Sequence, residues 1–208
     1  MERRARVPVL ARARHATARA RPRAAAWLGW ALGAALAAPA ARAQVFLTQA
    51  QALEQAFPRA RIERRAFALT EAQRKAVESR ARVRRRSALA TAYLAWRGDT
   101  LAGAAFFDAR TVRTMPGVFM VVVAPDTTVA RVDVLAFHEP PDYRPPARWL
   151  GLFARRRLDD RLWPRRDIVN LSGATLSTRA VTESVRDALA TYEVVVAPAL
   201  AAAAGSGR

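Results

Sequence analysis

The part of the chain best suited to chemistry is a run of small and hydroxyl-bearing residues, Ser172-Gly173-Ala174-Thr175-Leu176-Ser177. A glycine followed by an alanine leaves the backbone uncovered, so a bulky group can approach the hydroxyl of Thr175. The run comes directly before a helical pattern, and the free N–H groups and the dipole at the start of a helix favour an anion. Because Ser172 and Ser177 add hydroxyl donors, the run indicates a site for a phosphate-bearing group. An ordinary turn leading into a helix, with Ser177 or Thr178 as the N-cap, has the same composition.

Several other kinds of chemistry are excluded by what the sequence lacks. The chain contains no cysteine, which excludes disulfides, cysteine-ligated zinc, iron–sulfur clusters and c-type haem. It also contains no GxSxG, HExxH or Walker motif, so neither a catalytic residue nor a metal site is predicted. Electron-transfer chemistry would therefore depend on a bound organic cofactor.

Residues 1–43 have the pattern of a secretory signal peptide. Eight arginines precede residue 24, an apolar segment follows over residues 24–38, and Ala41-Arg42-Ala43 places small residues two positions apart. This order predicts cleavage after Ala43 and a periplasmic or otherwise extracytoplasmic mature protein. The alternative is a signal that stays uncleaved and tethers the protein to a membrane.

The chain is strongly basic, with 35 lysines and arginines against 17 acidic residues and a net charge of +18. Residues 1–43 carry +8 of this excess, and the rest of the chain carries +10, mostly in arginine runs at 80–86 and 155–166. No nucleic-acid-binding motif accompanies these runs, and an exported protein has little access to nucleic acid, so no such partner is predicted. The runs indicate solvated faces, or contacts with anionic lipid headgroups or an acidic redox partner.

Hydrophobic periodicity and capping signals predict an α+β domain, with an antiparallel sheet and flanking helices. A helix–strand–helix region at 44–86 precedes a domain at 87–196, and a flexible tail rich in alanine and glycine is predicted at 197–208. The predicted elements are helices from Thr48 to Pro58, from Thr70 to Arg80 and over 178–193, strands over 62–69, 88–97, 100–108, 117–124 and 128–137, and a proline-rich loop over 138–146.

The SGAT run at 172–175 resembles the motif of FMN-binding domains of the RnfG and NqrC type, in their single-domain exported branch. The resemblance implies an FMN cofactor that a flavin transferase, with FAD as donor, joins through its phosphate to the hydroxyl of Thr175. The family commonly has an acidic residue just upstream of the SGA triplet, whereas the nearest acid here is Asp167. The resemblance spans roughly residues 87–195 and includes, in the family's order, Phe106-Phe107-Asp108, the valine-rich strand pair, Phe137-His138-Glu139-Pro140-Pro141, Arg148-Trp149 and the helix after the motif.

The isoalloxazine ring of FMN requires an apolar slot with a few polar contacts at its edge. For every candidate, packing in a core or a loop is the alternative role. The apolar candidates are Phe137, Tyr143, Trp149 and Leu176, and the polar candidates are His138, Glu139 and Arg148. Ser172, Gly173, Ala174, Thr175 and Ser177 complete the predicted cofactor site.

These features favour an exported flavoprotein that carries electrons between membrane-associated or periplasmic redox partners. A carrier is favoured over a self-sufficient enzyme because no substrate pocket can be recognised in the sequence. Two alternatives stay open. One is an FMN-dependent reductase of a small acceptor, and the other is a flavin-free binding or assembly protein at the membrane surface.

Overall fold

The structure, a computed structural model, describes residues 44–85 and 87–205. The predicted signal peptide or anchor at 1–43 and the last three residues of the predicted tail lie outside the described residues. The described part has one antiparallel sheet with helices on both faces, which confirms the α+β fold predicted from the sequence.

Six strands form the sheet: β1 Gln44–Val45, β2 Arg61–Ala68, β3 Leu89–Arg97, β4 Thr100–Thr111, β5 Pro116–Val123 and β6 Val129–Phe137. Their order across the sheet is β1-β6-β5-β4-β3-β2. From β2 to β6 each strand pairs antiparallel with the next one in sequence, so this part of the sheet is a meander. Both predicted hairpins are present.

The first two helices both begin at a capping box. Helix α1 (Gln49–Ala56) follows Thr48, whose hydroxyl accepts from the backbone N–H of Gln51. Helix α2 (Glu71–Ala81) follows Thr70, and Gln73 supplies the reciprocal side chain, as predicted from the sequence. A capping box satisfies backbone N–H groups that a helix start would otherwise leave unpaired, so both helices begin at a defined residue.

The sheet is covered on both faces, and β5 shows this most clearly. Phe119 and Val121 pack into the core beneath the long C-terminal helix, whereas Met120 and Val122 pack on the opposite face with α1. All four side chains are almost fully buried. A strand buried on both faces has a continuous apolar sequence rather than an alternating one, which is the pattern of residues 118–123.

The pairing of β3 with β4 covers only the half of the hairpin next to its turn. The last registered pair is Tyr93 with Ala105. Beyond it, β3 continues alongside β2 as far as Leu89, and β4 continues alongside β5 as far as Thr111. The two strands therefore diverge, and a gap opens inside the sheet between residues 89–92 and 106–111.

The C-terminal helix is longer than the sequence predicts. Helix α4 (Thr175–Thr191) begins three residues before the predicted start, and a π-helical turn at Tyr192–Val196 leads into α5 (Ala197–Gly205). Residues 197–205 of the predicted flexible tail are therefore helical, because an alanine-rich segment that follows a formed helix needs no new nucleation.

The continuous helix from Thr175 to Gly205 is long enough to cross a membrane, and an 18-residue window within it is apolar enough, with a mean hydropathy of 1.5. A core helix of a soluble protein passes the same test. The α4 part of this helix supplies much of the core, including Val181, Val185 and Leu189. This helix is therefore only weak support for a membrane anchor.

The long connection from β6 to α4 is held by a buried arginine. Arg186 on α4 is 1% exposed, and its guanidinium donates to the carbonyls of Asp159 and Leu162 in this connection. It also donates to the carbonyls of Arg80 and Ala81 at the end of α2. Arg186 thus joins α2, α4 and the segment that leads to residues 172–177. Short helical turns along the connection are Pro141–Tyr143, α3 (Ala147–Leu150) and Gly151–Phe153.

Candidate functional site

A tight turn at Leu171–Ala174 presents the threonine of the SGAT run. The N–H of Ala174 donates to the carbonyl of Leu171, and Gly173 has a φ of +73°. A positive φ at the third residue of a turn is the type II pattern, which favours glycine. A Cβ added at Gly173 would meet open space, so its backbone conformation, and not crowding, requires glycine here.

The start of α4 has no side-chain cap. Ala174 is the N-cap residue, and the first helical hydrogen bond joins the N–H of Thr178 to the carbonyl of Ala174. Within the described residues, the N–H groups of Thr175, Leu176 and Ser177 have no hydrogen-bond partner. Three free donors at a helix start, with the positive end of its dipole, favour the binding of an anion.

The predicted N-cap residues have other roles. The hydroxyl of Thr178 accepts from the N–H of Leu171 and donates to the carbonyl of Ala174, so it stabilises the turn at both of its ends. The hydroxyl of Ser177 donates to the backbone carbonyl of Tyr143. The prediction that Ser177 or Thr178 is the N-cap was therefore wrong, because the N-cap is Ala174, three to four residues earlier, and the helix begins at Thr175.

A pocket of about 330 Å³ opens beside the Thr175 side chain, which is itself exposed. The lining includes a buried carboxylate, an arginine and several apolar groups. Apolar walls with a few polar groups are typical of sites that hold the ring of an organic cofactor. The lining residues are Val112, Arg113, Glu139, Tyr143, Gly173, Ala174, Thr175, Leu176 and Ser177.

Glu139 fixes the turn between β4 and β5 at one side of this pocket. Its Oε1 atom accepts from the backbone N–H groups of Arg113, Thr114 and Met115, at 3.0, 2.6 and 2.7 Å. Burial acts to raise the pKa of Glu139, but the three N–H donors and the nearby charge of Arg113 outweigh it and hold the pKa below its ordinary value. Glu139 is therefore an ionised carboxylate at neutral pH, and it places the exposed Arg113 at the pocket.

The structure brings most of the predicted motif, but only some of the predicted ring contacts, to the pocket. Glu139, Tyr143 and Leu176 line it, as do Gly173, Ala174, Thr175 and Ser177. Ser172 is exposed on the turn and does not line the pocket.

Four of the predicted ring contacts have other positions. Phe137 and Trp149 belong to the main core, and the indole N–H of Trp149 donates to the carbonyl of Val169. His138 Nδ1 lies 2.9 Å from the carbonyl oxygen of Pro116. Arg148 is exposed on α3 and is absent from the pocket lining. Phe137 and Trp149 therefore pack in the core and His138 contacts a strand end, which is the alternative role. Arg148, in contrast, lies at the surface outside the pocket lining.

Two lining residues, Val112 and Arg113, were missed in the sequence analysis. They lie in the turn between two strands, about 60 residues before the SGAT run, and no motif marks them. The available signal was Arg113 itself, a cation in a strand connection that is not part of an arginine run. The antiparallel pairing of β4 with β5 brings this turn to the pocket.

The described geometry can be compared with known families. The family model of the FMN-binding domain matches residues 115–190. The chain therefore contains an FMN-binding domain. A search of curated proteins found no match to this chain.

The matched range of this FMN-binding domain includes most of the candidate site. It runs from the turn held by Glu139, through β5, β6 and the long connection, to the end of the buried part of α4. Val112 and Arg113 lie just before it. The match confirms the predicted cofactor, FMN, and the resemblance that the SGAT run carries.

The residues at the pocket fit FMN in two respects. The uncapped start of α4 and the guanidinium of Arg113 suit a phosphate, and the side chains of Val112, Tyr143 and Leu176 suit an aromatic ring system. Leu176 is 48% exposed, so an apolar side chain stands at the open side of the pocket, beside Thr175. The single nearby carboxylate, Glu139, is already held by three backbone donors.

Proposed function

We propose that this FMN-binding flavoprotein carries its FMN covalently, through a phosphoester to the hydroxyl of Thr175, and acts as an exported electron carrier. The observation that carries the proposal is the position of Thr175. It is the first residue of an uncapped helix, its side chain is exposed, and it lines a pocket of the size of a cofactor. An exposed hydroxyl on a bare turn is accessible to a modifying enzyme.

The attachment needs no catalytic group from this chain. In a transfer from FAD, the Thr175 Oγ–phosphorus bond forms as the phosphoanhydride bond of FAD breaks, and AMP leaves. The hydroxyl proton passes to a base of the flavin transferase. The positive φ of Gly173 and the small side chain of Ala174 keep the backbone beside Thr175 uncovered for this enzyme.

The phosphate would be held by charges and donors that are already in place. The free N–H groups of Leu176 and Ser177 lie in the first turn of α4, where the helix dipole favours an anion. Arg113, which also lines the pocket, supplies a guanidinium. The hydroxyl of Ser177 is occupied by the carbonyl of Tyr143, so it positions the loop and does not donate to the phosphate.

The ring would lie against the apolar lining, with Tyr143 and Leu176 as its main contacts. FMN supplies one-electron and two-electron redox chemistry, and the protein binds and tunes it. Glu139 places a fixed negative charge near the ring edge, and we expect this charge to make reduction of the flavin less favourable.

A carrier role is supported by the openness of the site. Leu176 is about half exposed at the pocket, so the flavin could exchange electrons with a docked protein. The partners proposed are a flavin transferase and membrane-associated or periplasmic redox proteins. An anionic membrane surface is proposed as a further contact for the arginine run at 155–166, although Arg156 and Arg161 are both paired with Asp167.

The test is co-expression of the full chain with a flavin transferase, followed by a denaturing gel viewed under ultraviolet light. We expect a fluorescent band that is lost in Thr175→Ala and retained in part in Thr175→Ser. Ser172→Ala is the matched control, because Ser172 is an exposed hydroxyl three residues away, and this variant should label normally. Flavin that is released on denaturation would contradict the phosphoester while leaving FMN binding intact.

The carrier and reductase roles are distinguished by turnover. A carrier should be reduced and reoxidised by partner proteins, with negligible turnover when only an artificial donor and a small acceptor are present. Sustained turnover under those conditions would favour the reductase. A protein that stays colourless after co-expression with the transferase would favour the flavin-free binding protein.

A further inference from the structure

A second pocket, of about 400 Å³, occupies the gap where β3 and β4 diverge. Helix α4 forms its base through residues between Glu183 and Thr191. Glu183 lies eight residues beyond Thr175, about 12 Å along the helix axis. The two pockets have no lining residue in common.

Charged side chains form the polar wall of this gap, and its carboxylates are already paired. Asp108 accepts from Arg110 and from the hydroxyl of Ser184, at 2.5 and 2.8 Å. Glu183 accepts from Arg179 and Arg110, at 2.7 and 3.3 Å. The acidic groups therefore have cationic partners, and their charges are offset within the protein.

Two arginines that line the gap, in contrast, have donor groups without a partner within the described residues. Arg85 donates through Nη1 to both oxygens of Asp187 and to the hydroxyl of Thr191. Its side chain is only 10% exposed, and its buried Nε–H has no hydrogen-bond partner. Its Nη2 atom makes no hydrogen bond within the described residues, and Arg84 beside it is exposed and without an ion pair there.

The Nε–Nη2 edge of the buried Arg85 side chain has no acceptor within the described residues. This edge presents two parallel N–H groups, a geometry that matches the two oxygens of a carboxylate or a phosphate. A buried donor without an acceptor costs free energy, so an oxyanion at this edge would be stabilising.

The walls of the gap suit an organic ligand better than a bare ion. Phe106, Val121 and Ala188 form an apolar floor, and the exposed Ala109 stands at the opening on β4. Along the unpaired half of β4, every second residue directs its N–H and C=O into the gap. These groups give a ligand further hydrogen-bonding positions.

We propose that the gap between β3 and β4 is a second binding site, separate from the flavin pocket, for a small organic oxyanion that pairs with the Nε–Nη2 edge of Arg85. The ligand is a carboxylate or a phosphate ester whose apolar part lies on Phe106 and Val121. Arg84 adds a cation at the entrance. The site does not depend on the attachment of FMN at Thr175.

The test follows the arginine Nε–H signals of the full chain in ¹H–¹⁵N spectra at constant ionic strength. The probes are succinate for carboxylates, phenyl phosphate for phosphate esters, and inorganic phosphate as the simple ion. We expect a saturable shift of the Arg85 signal, which is assigned by its absence in Arg85→Gln. Arg84→Gln keeps the buried pair with Asp187 and should weaken binding about two- to fivefold. Arg97→Gln, at the turn of the same hairpin and also exposed, should bind as the unchanged protein does.

The three probes separate the outcomes. Saturation by succinate or by phenyl phosphate supports the site and identifies its oxyanion. No saturable shift, or saturation by inorganic phosphate alone, would overturn the proposal of an organic ligand. Equal weakening in Arg84→Gln and Arg97→Gln would show general attraction of anions to a basic protein. Loss of flavin absorbance in Arg84→Gln would mean that the gap belongs to the flavin site, and this would also overturn the proposal.

Discussion

The hydroxyl of Ser177 donates a 2.6 Å hydrogen bond to the backbone carbonyl of Tyr143. The bond joins the proline-rich loop to the first turn of α4, and both residues line the pocket beside Thr175. Ser177 is 1% exposed, so water cannot readily replace it as the donor. This contact therefore holds one wall of the pocket against the helix that carries Thr175, the proposed attachment site.

Replacing Ser177 with alanine should destabilise the protein and loosen this wall. The carbonyl of Tyr143 would lose its donor, and we expect the free energy of unfolding to fall by about 1–3 kcal/mol in urea denaturation. Ser172→Ala, which removes an exposed hydroxyl from the adjacent turn, should change the free energy of unfolding by less than about 0.5 kcal/mol. Equal effects of the two substitutions would contradict a specific role for the Ser177 hydroxyl.

Gly173 and Gly151 provide a matched pair for the backbone of the turn. A Cβ at either position would meet open space, but φ is +73° at Gly173 and −60° at Gly151. Gly173→Ala should cost about 1–2 kcal/mol through left-handed backbone strain. Gly151→Ala should be neutral or stabilising by up to about 1 kcal/mol, because its backbone already suits alanine. Unfolding curves of the two variants, measured side by side, test the assignment.

Glu139 should give the protein a component of stability that depends on pH. Its pKa is below the ordinary value in the folded state, so its contribution is complete at neutral pH and declines as the pH falls below about 4.5. Glu139→Gln cannot ionise, so its deficit in the free energy of unfolding should be largest near neutral pH and should narrow on acidification. Unfolding measured from neutral to acidic pH tests this.

The control for Glu139 is Glu54→Gln, which changes an exposed carboxylate on α1. It should change the free energy of unfolding at neutral pH by less than about 0.5 kcal/mol, because it alters an exposed side chain. If Glu139→Gln lowers the free energy of unfolding by the same amount at every pH, this would contradict the conclusion that Glu139 is ionised in the folded protein.

Arg186→Leu should lower the free energy of unfolding more than any of the other substitutions described above. Arg186 donates to four backbone carbonyls, of Arg80, Ala81, Asp159 and Leu162, and its guanidinium also lies over the ring of Trp163. Several buried acceptors would lose their donor at once, and we expect a loss of more than about 3 kcal/mol in the free energy of unfolding. Arg186→Lys should recover only part of this, since one ammonium cannot reproduce the planar fork. Thermal and urea unfolding, with Arg97→Leu as an exposed control, measure both effects.

Local signals were sufficient to predict most of the fold. The capping box at Thr70 and Gln73 and the apolar runs on either side of each hairpin turn depend on neighbours in sequence, and the structure confirms them. The start of α4 was placed too late because serine and threonine are common N-cap residues. The contacts of Ser177 with Tyr143 and of Thr178 with Leu171 give their hydroxyls different roles.

The parts of the site that sequence reasoning missed depend on contacts between distant segments. Arg113 reaches the pocket because Glu139, 26 residues later, accepts hydrogen bonds from the backbone N–H groups of its turn. Trp149 looked suitable for a flavin ring, but its ring packs in the core and its indole N–H donates to the backbone carbonyl of Val169. Neither relationship leaves a periodic pattern or a motif. The divergence of β3 from β4 was invisible for the same reason, since both strands have ordinary hairpin sequences.

The most direct measurement is tandem mass spectrometry of the tryptic peptide from Asp167 to Arg179, after export and co-expression with a flavin transferase. This peptide contains four hydroxyl side chains, those of Ser172, Thr175, Ser177 and Thr178. We expect the mass of an FMN phosphoester on Thr175, and an unmodified peptide from Thr175→Ala. A modification on any of the other three hydroxyls, or an unmodified peptide from a protein that binds flavin, would contradict covalent attachment at Thr175.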